Sequence, residues 1–318
     1  MESIRRAVID VGTNSIKLLV AEVAGHQVRP LWEESKQTRL GHGFYETRRL
    51  RPEAIATTAK AVAHFVTEAR ARQAASVRVF ATSAARDAMN PTDLTSAIEH
   101  ASGLKVEIIS GDQEADWAFQ GVTTDPALAC EPLLLLDVGG GSTEFILGHG
   151  EHKHFRQSFP LGTVRLMEKV PRSEPPGAGE LAACRQWLRQ FLQKEVRPRL
   201  EPAMKSEAKL CETASPLRLV GTGGTATILA RMEAQLETYD RKRIEAARLG
   251  FGRLQWHVQH LWSLPLEERK QIVGLPKSRA DVILTGAAVY EAIMEEFGFA
   301  ELQISTRGLR FAAVMDGA

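Results

Sequence analysis

Two stretches of the chain repeat a pattern suited to gripping a negatively charged oxygen cluster. Ile9-Asp10-Val11-Gly12-Thr13-Asn14-Ser15 and Leu136-Asp137-Val138-Gly139-Gly140-Gly141-Ser142 place Asp, Val, Gly and Ser at equal offsets. In each, an apolar run ends on Asp, small residues turn the chain, and a second apolar run leaves, Leu18-Leu19-Val20 or Phe145-Ile146-Leu147. Glycines let the backbone bend until successive N–H groups converge on an anion, and the Asp can hold a cation or its water shell. Either turn alone reads as an ordinary hairpin. The pair in one register reads as two phosphate-cradling turns, with the amides of Gly139, Gly140 and Gly141 and the Ser142 hydroxyl in one copy, and Asn14 and Ser15 in the other. A third glycine turn, Gly221-Thr222-Gly223-Gly224, follows the run Leu217 to Val220 and precedes a helical pattern from Thr225. Helix N–H groups and dipole there would add Gly223 and Gly224 to the anion-binding set.

Charged residues around these turns have chemical and structural readings. Asp137 and Glu144 flank the second turn and are candidate Mg²⁺ ligands, since that ion takes few carboxylates together with phosphate oxygens. Asp10 occupies the equivalent place in the first turn, either as a further ligand or as a turn-stabilising acceptor. Arg86 suits a bidentate phosphate contact, or an ion pair with a neighbour such as Asp87. Glu114 falls in the first turn of a helix that Ser110 and Gln113 cap, so the dipole favours its ionised form whatever its role. His149, His152 and His154 are closely spaced beside a polar turn, but no Cys or acidic partner completes a ligand set. The basic runs Arg48, Arg49, Arg51 and Arg241-Lys242-Arg243 could line a path for a polyanion, although such runs more often read as solvated faces.

Positioning these residues takes an α/β chain. Its 318 residues fit two domains, and 44% apolar with 25% charged residues is ordinary globular composition. A net charge of +1 argues against bulk nucleic-acid or membrane-surface binding. The start of the chain runs directly into Ala7-Val8-Ile9 without an apolar stretch long enough for a leader or span, so a cytoplasmic protein is expected. Cys130, Cys184 and Cys211 are widely spaced and predict reduced, partly buried thiols rather than a disulfide or zinc framework. Helical periodicity follows Pro52 and Pro91, strand patterns cover 77–80 and 106–109, and a helix is expected from about Gln113 to Gln120. Leu133 to Leu136 begins a second half as a buried strand. Domains are therefore expected over 1–125 and 126–318, with the last helix packing back on the first. Trp187, Phe191, Trp256 and Trp262 sit in helical apolar patterns and predict core positions.

Two halves that each open with strand, glycine turn and strand resemble the actin, sugar-kinase and Hsp70 superfold. That likeness implies duplicated ribonuclease H-like domains with a phosphate-holding interdomain cleft. More narrowly, the chain resembles the exopolyphosphatase and guanosine pentaphosphate phosphatase family. The matching segments are Asp10 to Ser15, Ala81 to Ala88, Ile109 to Ala115, Asp137 to Glu144, Leu161 to Leu166, Gly221 to Thr225 and Ser305 to Arg310. The resemblance implies phosphoanhydride hydrolysis, with Glu114 as the base that directs water, Arg86 on phosphate, Mg²⁺, and inorganic polyphosphate or pppGpp as substrate. It also implies a homodimer. Gln113 departs from the second Glu that many members carry before the Glu-Ala pair. Longer members have a further helical C-terminal region, so a preference for shorter polyphosphate is expected here. A kinase of the same superfold and a non-catalytic polyphosphate or nucleotide sensor are the rival readings.

Overall fold

The structure is a computed structural model that describes residues 3–210 and 216–316. Its contacts divide the chain into two compact units, Met1–Asp125 with Arg307–Ala318, and Pro126–Thr306. The second half expected over 126–318 thus yields its final segment to the first unit.

Unit 1 is built on a five-stranded sheet: β1 (Ile4–Val11), β2 (Ser15–Ala24), β3 (Gln27–Gln37), β4 (Ser76–Ala81) and β5 (Val106–Ile108), in the order β3-β2-β1-β4-β5. The first three form an antiparallel meander, and β4 and β5 add in parallel. Alternation sends successive β1 residues to opposite faces. Ala7, Ile9 and Val11 join Ile55, Val62, Phe65, Leu94 and Ile98 beneath helices Pro52–Ala71 and Pro91–Ser102. On the other face Val8 packs with Leu19, Phe80, Trp117, Phe311 and Val314, from β2, β4, helix Gly111–Val122 and helix Leu309–Met315. The last two helices meet so closely that a Cβ at Gly121 would lie 2.0 Å from the Gly308 carbonyl oxygen. Trp117 Nε1 donates to Asp316 at 3.2 Å, and Arg6 Nη1 donates to the Met315 carbonyl at 2.8 Å. The C-terminal segment therefore clamps the helix that carries Glu114.

Unit 2 repeats the pattern with β6 (Leu133–Val138), β7 (Thr143–His149), β8 (His152–Phe159), β9 (Arg218–Thr222), β10 (Arg248–Gly250) and β11 (Glu301–Ile304). Their order is β10-β11-β9-β6-β7-β8. Taken from β8 to β11 this is the same arrangement as in unit 1, with β10 added antiparallel at the edge. These are the duplicated ribonuclease H-like α/β domains the sequence leads one to expect. The four leucines of β6 are fully buried, and helix Ile283–Phe297 is buried over most of its length against the same core.

Several expectations change. Helix Gly111–Val122 starts at Gly111, ahead of Gln113, because Ser110 Oγ accepts from the Gln113 N–H and caps it. Trp262 is buried, but Trp256 is 47% exposed, lying over His260 and under Arg253. It occupies the outer face of helix Phe251–Ser263, whose inner face takes Leu254, Val258 and Leu261. Cys184 is buried and Cys130 exposed, while Cys211 lies outside the described residues. Among the described residues no helix is long and apolar enough to cross a membrane.

Candidate active site

The two glycine turns are closed by the same bond. Gly12 N–H donates to the Ser15 carbonyl at 3.1 Å, and Gly139 N–H donates to the Ser142 carbonyl at 3.0 Å. Each turn is then tied back by a following segment of its own unit. In unit 1, Gly41 N donates to Thr13 O at 2.7 Å, and the Thr38 and Arg39 amides donate to Asn14 O at 3.1 and 3.0 Å. In unit 2, Thr163 N reaches Gly139 O at 2.9 Å, Val164 N reaches Gly140 O at 2.8 Å, and Arg165 Nε reaches Gly141 O at 2.6 Å. A trans peptide points its N–H opposite to its C=O. With these carbonyls committed backward, the amides of Asn14 and Ser15 in one unit, and of Gly140, Gly141 and Ser142 in the other, face away from the backing segments. Successive amides aimed one way form an anion-binding concavity. Gly139 has a different part from the one expected of it, because its own N–H closes the turn.

Side chains reinforce this arrangement. Asn14 Oδ1 accepts from Gln37 Nε2 at 3.2 Å, whereas its Nδ2 is buried with no hydrogen-bond acceptor among the described residues. A buried amide donor left unmatched is costly, and a phosphate oxygen is a natural partner for it. Gly162 must be glycine, since a Cβ there would meet the Gly140 carbonyl at 2.5 Å. Thr285 Oγ1 donates to Thr163 O at 2.9 Å, so the buried helix Ile283–Phe297 braces the backing segment.

Arg86 and Glu114 come together in unit 1. Arg86 sits in the short helix Ser83–Asp87 after β4, and Glu114 in the first turn of helix Gly111–Val122. Arg86 Nη1 donates to Glu114 Oε2 at 2.9 Å and to the Ile109 carbonyl at 3.2 Å. Glu114 is only 8% exposed. The guanidinium thus holds the carboxylate in one orientation, and the ion-pair reading of Arg86 is realised with Glu114. Ser83, which sequence reasoning assigned no role, presents a buried Oγ without a hydrogen-bond partner among the described residues, three residues before Arg86. A lone Ser inside an Ala-rich run ahead of an Arg was the available signal.

Asp137 and Glu144 are directly opposed across β6 and β7, so both buried carboxylates share one face. Glu144 Oε1 accepts from Ser158 Oγ at 2.7 Å. Asp137 stands against the third glycine turn: Gly223 has φ +81°, and a Cβ there would lie 2.2 Å from Asp137 Oδ1. Thr225 Oγ1 donates to Val138 O at 2.9 Å and fixes helix Gly223–Glu233, with Gly224 in its first turn, to the second phosphate turn. The Tyr290 phenol is pushed well above its usual pKa, first by burial and then by the Asp137 charge. Two buried carboxylates facing one way suit a divalent cation, which would offset their mutual repulsion. Asp10 is also buried and opposes Lys17 across β1 and β2, a cationic position with no counterpart opposite Asp137. His149 and His154 gain an acidic partner from far along the chain, Glu207 of helix Arg197–Leu210.

This combination of repeated domains, glycine turns and buried carboxylates is matched across the chain by one protein family. Residues 19–316 match the Ppx/GppA phosphatase family, and the chain belongs to it. It is 35% identical to Exopolyphosphatase 2 of Mycobacterium tuberculosis over 306 residues, covering 92% of this chain and 90% of the relative. The solved Aquifex aeolicus PPX-GPPA enzyme superposes with a TM-score of 0.76 at 28% identity, covering 99% of this chain and 100% of that one. An exopolyphosphatase structure from Cytophaga hutchinsonii shares the fold with a TM-score of 0.82 at 24% identity, covering 99% and 98% of the two chains.

Proposed function

We propose that this chain is an exopolyphosphatase, which releases phosphate from the end of inorganic polyphosphate by attack of water. The observation that carries the reading is a pair of turns, closed by the same bond, whose carbonyls are tied back so that their amides point away from the backing segments. Each such cradle suits a phosphate group. The likeness to Exopolyphosphatase 2 narrows that anion to polyphosphate.

Hydrolysis of a terminal phosphoanhydride depends chiefly on positioning and charge stabilisation. Glu114 accepts a proton as the water oxygen bonds to the terminal phosphorus, and the anhydride P–O bond breaks to leave a chain one phosphate shorter. Arg86 has five donors in a planar fork, so while one nitrogen orients Glu114 others can stabilise phosphate oxygens. Asn14 Nδ2 and the amides of Asn14 and Ser15 bind phosphate in unit 1. The amides of Gly140, Gly141 and Ser142 do so in unit 2, beside the N-terminal end of helix Gly223–Glu233, whose dipole favours an anion. Asp137 and Glu144 would hold Mg²⁺, which when bound neutralises phosphate charge.

Phosphate release should be measured from short polyphosphate, long polyphosphate, pppGpp and ATP, with and without Mg²⁺. Release from polyphosphate that is strongest with Mg²⁺ is the expected result. Faster release from pppGpp would transfer the assignment to pppGpp hydrolysis. Turnover of ATP only with an added acceptor would indicate a kinase, and binding of polyphosphate without release a sensor.

A further inference from the structure

The hairpin of β7 and β8 ends in a cluster that the phosphate chemistry does not use. His149 pairs with His152 across the tip, where Gly150 takes φ +57°. Gly148 then pairs with Lys153, and Leu147 with Phe155, which leaves His154 as the extra residue of a β-bulge. Bulges re-aim side chains. Here the imidazoles of His149 and His154 stack with centroids 5.3 Å apart and rings inclined by 29°. Both meet Glu207, which helix Arg197–Leu210 brings over this hairpin. His149 Nδ1 lies 2.8 Å from Glu207 Oε1, and His154 Nε2 lies 3.1 Å from Glu207 Oε2. The three side chains offer ligand atoms that all fall within 4.8 Å of one another.

We propose that His149, His154 and Glu207 form a binding site for a zinc-class divalent cation. Metal–nitrogen and metal–oxygen bonds of about 2.0–2.2 Å in a tetrahedron separate neighbouring ligand atoms by about 3.3 Å. The observed nitrogen–oxygen separations are close to that value without rearrangement of the backbone. Glu207 is 2% exposed, and a dication bound here would offset the charge of its buried carboxylate. Two imidazoles with one carboxylate select zinc and its transition-metal neighbours over Mg²⁺, which prefers an all-oxygen shell. His154 is partly exposed, leaving a solvent side for water as fourth ligand. The metal would pin the hairpin tip to helix Arg197–Leu210, independently of the phosphate turns.

The full chain, freed of metal by chelation and held in excess Mg²⁺ to occupy all-oxygen sites, should be titrated with Zn²⁺ by calorimetry and with Co²⁺ by visible absorption. The wild type is expected to take up one more equivalent of Zn²⁺ than the double variant His149→Ala/His154→Ala, and to show a tetrahedral Co²⁺ band that this variant lacks. Glu207→Gln preserves shape and should weaken Zn²⁺ binding at least about tenfold, the lower range found even for losing a metal ligand's outer partner. Should Glu207→Gln misfold by circular dichroism, His154→Ala alone, at a partly exposed position, makes the same comparison. Equal Zn²⁺ uptake and equal Co²⁺ spectra in the wild type and the histidine variants would overturn the site, as would no uptake by the wild type.

Discussion

Arg86 Nη1 stands 2.9 Å from Glu114 Oε2 and 3.2 Å from the carbonyl of Ile109, the residue that follows β5. One guanidinium nitrogen therefore links the proposed base to the end of the sheet. Lysine would keep the charge but lose the planar fork needed to hold a carboxylate and a phosphate together. Arg86→Lys is expected to lower kcat/KM for polyphosphate by about 10²–10³-fold, the cost typical of removing a donor that acts on developing charge. Steady-state phosphate release checks this, and a change of less than a few-fold would remove Arg86 from phosphate contact.

Gly223 is constrained both by its φ of +81° and by the Asp137 carboxylate 2.2 Å from where a Cβ would lie. Gly223→Ala should therefore displace Asp137 or unwind the start of helix Gly223–Glu233. Activity is expected to fall more than tenfold, and the Mg²⁺ concentration giving half-maximal rate to rise. Stability should drop by about 1–3 kcal/mol from backbone strain. A metal titration of the rate and a urea unfolding curve read the two effects separately.

The C-terminal segment should matter to the stability of unit 1. Gly121→Ala places a methyl 2.0 Å from the Gly308 carbonyl oxygen, and the overpacking should cost about 1–3 kcal/mol. Gly103→Ala is the contrasting case: its φ is +73°, unlike that of helical Gly121, but open space surrounds its Cβ, so only the conformational cost of about 1–2 kcal/mol applies. Urea unfolding should show Gly121→Ala less stable than wild type despite the better helix propensity of alanine; unchanged stability would mean that the helix contact yields easily.

Acid should weaken unit 2 through His257. Its pKa lies below the usual 6.5, chiefly because burial disfavours the cation, with Glu233 opposing that effect from 2.7 Å. The unfolded chain binds the proton more readily, so this contribution is complete above about pH 6.5 and is lost as pH falls toward the lower folded value. Substituting His257→Gln should flatten stability against pH just below 6.5. Parallel wild-type and variant curves there would contradict this origin.

Much of the fold was legible because local chemistry and tertiary demand agree. The buried leucines of β6, the proline-led helices Pro52–Ala71 and Pro91–Ser102, and the Ser110 cap each declare themselves within a few residues. The twin turns were legible because glycine and Asp recur at fixed offsets. What stayed hidden depends on residues far apart in the chain. Nothing near Arg86 names Glu114 as its partner, nothing near Gly223 announces Asp137, and Glu207 reaches His149 across 58 positions. Gly139 shows a subtler limit, since its composition suggests an anion donor while the turn geometry uses its amide internally.

Glu114→Gln tests the central claim most directly. Glutamine keeps the size of the side chain and can still accept from Arg86, but it cannot take a proton from water. Phosphate release from polyphosphate, measured beside polyphosphate binding and circular dichroism, should fall by about 10²–10⁴-fold with binding and fold retained. Turnover within a few-fold of wild type in the folded variant would contradict the account.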